Sequence, residues 1–134
     1  MTRPGSMIVA RYADGRMIKG VTQDFSVDKP EFHVFEDGNE SAKAIAVPVA
    51  DLKAVFFVRT YAGNKAHQEY KLFDRAKVKA RKILVSFHDG EKLVGLTLGY
   101  NASKQGFFVT PADPDTNNTR VYVVNRAVRA IHWI

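Results

Sequence analysis

The stretch YADGRMIKGVTQDF, residues 12–25, is echoed by FHDGEKLVGLTLGY, residues 87–100. Sliding the chain by 75 residues sets Ile8 on Ile83, Asp14 on Asp89, Gly15 on Gly90, Gly20 on Gly95 and Thr22 on Thr97. Lys29, Phe32 and Val34 then fall on Lys104, Phe107 and Val109, giving 8 identities in the 27 positions from Ile8 to Val34. One extra residue in the second copy moves the offset to 76, and Val47, Leu52, Val55 and Phe57 meet Val123, Val128, Ile131 and Trp133. A repeat of this kind fixes the architecture before any single element is considered.

Each copy reads as five short strands. MIVARYADG alternates apolar and polar residues and ends in Asp-Gly, a strong hairpin signal, and RMIKGVTQDF returns from it. Gly20 and Gly95 interrupt the return strands, where glycine marks a bulge or a sharp bend. A polar turn, an aromatic strand (EFHVFED, GFFVTPAD), a loop and two further strands complete each unit. Five strands with a bent second one describe a small barrel, because bending lets one sheet cover its own core. The expected class is mainly all-β. Two tandem five-stranded Sm/SH3-like barrels, residues 7–58 and 82–134, are joined by a basic, partly helical connector, residues 59–81.

The pattern hydrophobic-x-Asp-Gly-x-x-hydrophobic-x-Gly, followed by an aromatic strand, resembles the first motif of the Sm-like barrels, the group containing Hfq. The paired layout also resembles an uncharacterised bacterial family with two such units. The resemblance implies RNA binding, with Asp24 and Asn101 in the loops where that group holds a base. The turn of the second Sm motif, typically Arg-Gly in that group, is Val49-Ala50-Asp51 in one copy and Asn125-Arg126-Ala127 in the other, so only Arg126 resembles the family's basic residue. Barrels of this group join neighbours through their last strands. That makes Val55, Phe56, Phe57 and Val58 candidate interface residues, satisfied within the chain as a pseudo-twofold monomer or between chains as a homodimer. AVFFV (residues 54–58) is apolar on both faces, as a strand covered on both sides should be.

The net charge of +6 is localised. Residues 59–82 hold eight basic and two acidic residues, and the other twelve basic and twelve acidic residues cancel. Clustered Lys and Arg neutralise phosphates and release counterions. Arg59, Lys65, Lys71, Arg75, Lys77, Lys79 and Arg81, assisted by Lys29, Lys104 and Arg126 from the turns, are therefore the candidate nucleic-acid contacts. Tyr70 and Phe73 in YKLFDRAKVKARK offer stacking faces, but with Ala66 they recur at helical spacing, which also fits packing against a barrel. RNA or another polyanion is the expected partner. The alternative is a protein-interaction or signalling accessory domain.

Other chemistry finds little purchase. The chain has no cysteine, which removes disulfides and thiolate sites. Asp113, Asp115 and Asn117 suit the start of a calcium loop, but Asn118 and Val124 stand where glycine and glutamate are needed. His33, His67, His88 and His132 lack metal-site spacing, and no nucleophile or phosphate-loop motif is present. The expectation is a non-enzymatic protein without cofactor or metal. The longest apolar run has five residues, against the roughly 20 that cross a bilayer, so a cytoplasmic location without membrane contact is expected.

Overall fold

A computed structural model describes residues 5–37, 43–59, 80–112 and 118–134. They form strands β1 (Ser6–Tyr12), β2 (Met17–Thr22), β3 (Glu31–Glu36), β4 (Ile45–Pro48), β5 (Leu52–Val58), β6 (Arg81–Phe87), β7 (Lys92–Thr97), β8 (Gly106–Pro111), β9 (Asn118–Val124) and β10 (Val128–Trp133). Single 3-10 turns at Val49–Asp51 and Asn125–Ala127 precede β5 and β10. The protein is all-β. Its strands lie in one ten-stranded antiparallel sheet, ordered β10-β6-β7-β8-β9-β5-β1-β2-β3-β4.

The internal echo extends to individual hydrogen bonds. In the first hairpin the Tyr12 N–H donates to the Arg16 carbonyl and the Gly15 N–H to Tyr12. In the second, Phe87 donates to Glu91 and Gly90 to Phe87. Gly15 and Gly90 sit at φ 99° and 92°, the left-handed conformation that closes a three-residue hairpin loop. The bond from Ala13 to the Asp51 carbonyl is matched by that from His88 to Ala127, and the bond from Val49 to Pro30 by that from Asn125 to Gln105. The offsets of 75 and 76 residues thus describe backbone geometry as well as composition.

Gly20 and Gly95 mark a close approach. A Cβ at Gly20 would lie 2.2 Å from the Phe35 carbonyl oxygen, and one at Gly95 would lie 2.3 Å from that of Thr110. The third strand of each half starts its pairing there, at Gly20↔Glu36 and Gly95↔Pro111, so the second strand bends at the glycine to serve two neighbours.

The halves meet at β5 and β9, which pair antiparallel with Val55 opposite Tyr122 and Phe56 opposite Val121. Alternate side chains of these strands enter different cores. Val55, Phe57, Tyr122 and Val124 join Ile8, Phe32, Val34 and Val47 in one cluster. Ala54, Val121 and Val123 join Ile83, Val85, Phe107 and Val109 in the other, with Phe56 packed against it. AVFFV is apolar on both faces because each face belongs to a different core.

Gly20→Ala should therefore destabilise the protein by about 1–3 kcal/mol, the usual cost of forcing a methyl into packed space. Gly99→Ala, which has open space and no positive φ, should stay within about 0.5 kcal/mol of wild type. Urea unfolding of the two variants checks the contrast.

Candidate polyanion interface

Lys29, Lys104 and Arg126 are exposed at the turns following β2, β7 and β9. Two side-chain amides tie these turns together. Gln105 Nε2 donates to the carbonyls of Val27 (3.0 Å) and Lys29 (2.8 Å). Asn125 Nδ2 donates to those of Asn101 (3.1 Å) and Lys104 (2.8 Å). Loops from both halves thus bring three cations to one end of the β5–β9 junction. Asp28 lies in the same loop as Lys29 and tempers the positive field.

Tyr122 is buried beneath this end. Burial raises its phenol above the usual value of 10.0; the neighbouring Gln105 amide opposes the rise and Asp28 adds to it. Both Gln105 amide hydrogens are committed to Val27 and Lys29, so burial prevails. Among the described residues, the buried Tyr122 hydroxyl and Asn125 Oδ1 meet no hydrogen-bond partner.

Arg59 and Arg81 stand at the two roots of the connector. Arg59 lines an open cleft of about 300 Å³ with Arg120, Met7 and Phe57. The Arg120 guanidinium lies 4.5 Å from the ring centres of Phe57 and Phe108. Arg81 stacks 3.9 Å above Trp133, itself 6.3 Å from Tyr100. Lys65, Lys71, Arg75, Lys77 and Lys79, with Tyr70 and Phe73, fall outside the described residues, as do Asp113, Asp115 and Asn117.

Asp24 and Asn101 are engaged within their own half. Asp24 accepts hydrogen bonds from the His33 backbone N–H at 2.9 Å and from Thr22 at 3.3 Å, and its second oxygen meets His33 Nδ1 at 2.7 Å. Burial pushes the Asp24 carboxyl up, but these bonds more than offset it and leave the group below its ordinary value. Asn101 Oδ1 accepts from the Ser103 backbone and hydroxyl, closing its turn. Val55, Phe56 and Phe57 lie between β1 and β9, so both edges of β5 are occupied. Among the described residues no group of three His, Asp or Glu side chains is placed to hold a metal ion. Among those residues, too, no helix is long and apolar enough to cross a membrane.

One charged residue at the junction carries no motif. Lys53 on β5 is 4% exposed. Its ammonium donates to Asp89 at 2.7 Å and to Glu91, both from the β6–β7 hairpin, and lies 4.8 Å from the centre of the Phe87 ring. A buried charge demands such partners. The only trace in the sequence is a lysine entering an apolar strand and a second Asp-Gly turn followed by Glu91 where the first has Arg16.

The chain belongs to a family of unknown function, DUF6982, whose model matches residues 5–134. No curated protein and no solved structure matches it.

The hydrogen bond from Lys53, and then that from the Glu91 backbone, hold the Asp89 carboxyl below its ordinary value. Its folded pKa lies below the unfolded value of about 3.9, so its stabilisation is complete above that pH and fades as pH falls through the lower folded value. Asp89→Asn should remove this part of the acid dependence. Acid titrations of wild type and variant, followed by circular dichroism, should differ above pH ~4 and draw together as the pH falls below it.

Proposed function

We propose that this chain is a non-catalytic binding module whose target is RNA or a similar polyanion. Its sheet is read as two Sm-like barrels, residues 7–58 and 82–134, side by side and linked by the connector 59–81. The observation that carries the reading is charge localisation: the whole net charge of +6 resides in residues 59–82. Such a segment neutralises successive phosphates irrespective of base sequence. The turn cations Lys29, Lys104 and Arg126 extend the basic surface, and Gln105 and Asn125 fix the backbone that carries them. The composition and the absence of a membrane-length apolar run fit a cytoplasmic setting for this role.

Fluorescence anisotropy of a labelled single-stranded RNA at low and moderate salt tests the proposal. Binding should weaken steeply with salt. Replacing Lys71, Arg75, Lys77 and Lys79 by Ala should cost at least ~10-fold in affinity, as expected when several phosphate contacts are lost. The Lys29/Lys104/Arg126→Ala variant should lose a smaller factor with an unchanged fold. Absence of binding at low salt would overturn the reading in favour of a protein-docking role.

A further inference from the structure

The cleft at the far end of the β5–β9 junction has a chemistry that the repeat does not require. It measures about 300 Å³, and its lining includes Ser6, Met7, Phe57, Arg59, Thr119 and Arg120. None of the lining residues is acidic, so two guanidiniums set its charge. By the offset of 76 residues, Arg120 stands where the first half has Ala44, so the repeat unit can be built without an arginine there.

A break in the strand pairing shapes the wall. β5 and β9 keep step as far as Phe57↔Arg120, and the next pair is Val58↔Asn118. Thr119 is therefore an extra residue on β9, a bulge of the kind that bends a strand and re-aims its side chains. The Thr119 hydroxyl fastens the bulge by donating to the Phe57 carbonyl at 3.1 Å. β1 lies on the other side of β5, with Ile8 opposite Phe57, and contributes Ser6 and Met7. Arg120 is exposed yet held, its guanidinium 4.5 Å from the ring centres of both Phe57 and Phe108. Attraction to two rings restricts the side chain in advance, so less freedom is lost when an anion arrives.

We infer that this cleft holds a phosphate monoester, the group that ends a 5′-phosphorylated single strand or a free nucleotide. A guanidinium presents its N–H donors in a planar fork that matches phosphate oxygens. A terminal phosphate carries about −1.5 to −2 charges at pH 7, against about one for each phosphate inside a strand, so two arginines match the end better than the middle. The volume lies at the lower end of the range for small-molecule sites, which suits a phosphoryl group with the sugar that carries it. Met7 and Phe57 place apolar surface beside the arginines, and charge pairing is stronger there than in open water. Where the phosphate belongs to a nucleic acid, the inference rests on the polyanion reading, and Arg59 links the two as the first residue of the basic segment.

Two matched pairs of probes test the site on the full chain. One labelled single-stranded RNA is prepared with a 5′-phosphate and with a 5′-hydroxyl, and binding is followed by anisotropy at moderate salt. Adenosine monophosphate and adenosine are compared by calorimetry. The phosphorylated RNA should bind at least ~10-fold more tightly, the worth of one charge-assisted contact, and the monophosphate should bind where adenosine does not. Arg120→Lys keeps the charge and loses the fork, so it should abolish the phosphate preference and keep most of the affinity for hydroxyl-ended RNA. Ser6→Glu, which sets a carboxylate at an exposed position of the lining, should abolish the preference with the wild-type circular dichroism. If both RNAs bind alike while the monophosphate still binds through Arg120, the site stands and its ligand is a free nucleotide. If both RNAs bind alike and the monophosphate does no better than adenosine, the inference is overturned and the polyanion reading survives. A phosphate preference that persists in both variants overturns it as well, because the phosphate then sits elsewhere. Monophosphate binding without any RNA binding keeps the site and removes the polyanion reading.

Discussion

The pairing of β5 with β9 is the constraint on which the rest of the molecule depends. A strand of this sheet usually gives one face to a core and the other to water. Here consecutive residues on two adjacent strands supply two cores, Tyr122 and Val124 one way, Val121 and Val123 the other. Neither half completes its core from its own residues, because removing β9 would leave Phe25, Phe32 and Phe57 without the Tyr122 ring. That ring lies 5.1 Å from the centre of Phe25 and 5.0 Å from that of Phe108, which reaches over from β8. These edge-on aromatic contacts add to area burial and give the junction a defined geometry.

Apolar side chains alone would leave the register of two such strands weakly fixed, since valine fits opposite most neighbours. Polar ties pin it. Lys53 joins the start of β5 to the β6–β7 hairpin, Gln105 joins the turns beyond β2 and β7, and the Thr119 hydroxyl donates to the Phe57 carbonyl at 3.1 Å near the far end. A slip by one residue would reverse every face and strand the Lys53 ammonium away from its carboxylates.

The strands, the Asp-Gly turns and the bend glycines were legible in the sequence because each depends on local chemistry that the two copies share. Gly20 and Gly95 could be read as bends, although the backbone they admit, at Phe35 and Thr110, could not be named. The partner of β5 was not legible. An internal repeat says which residues are equivalent, and equivalence does not decide whether a last strand meets another last strand or a fourth strand. The signal was present in the doubly apolar AVFFV and in its match YVV at residues 122–124, which only together specify two buried faces side by side. Lys53 escaped notice for a related reason: its meaning lies in carboxylates 36 and 38 residues away. For the candidate polyanion surface, localised charge marks residues 59–82 and the turn cations can be named from the sequence, but the role of Gln105 in joining the turns depends on tertiary contact alone.

Where the two halves agree and where they differ follows from the junction. Thr22 and Thr97, Gly20 and Gly95, and Lys29 and Lys104 are identical pairs, and each serves or adjoins a turn or bend that both halves make for themselves. Positions facing the sister half diverge. Phe108 and Tyr122, which pack across the junction, correspond to His33 and Ala46 at the opposite edge, and Gly99 corresponds to Asp24. The Asp24–His33 pair therefore occupies in the first half the region that the second fills with a phenylalanine against its neighbour. A half-exposed histidine held by a carboxylate is tolerable only where no aromatic core closes over it, since burying the pair would cost desolvation that its single good contact does not return. The divergence thus reflects a difference in covering: the fourth strand β9 pairs with its sister half and carries Tyr122, while β4 carries Ala46 in that place, beside a third strand that bears the polar His33 in place of Phe108.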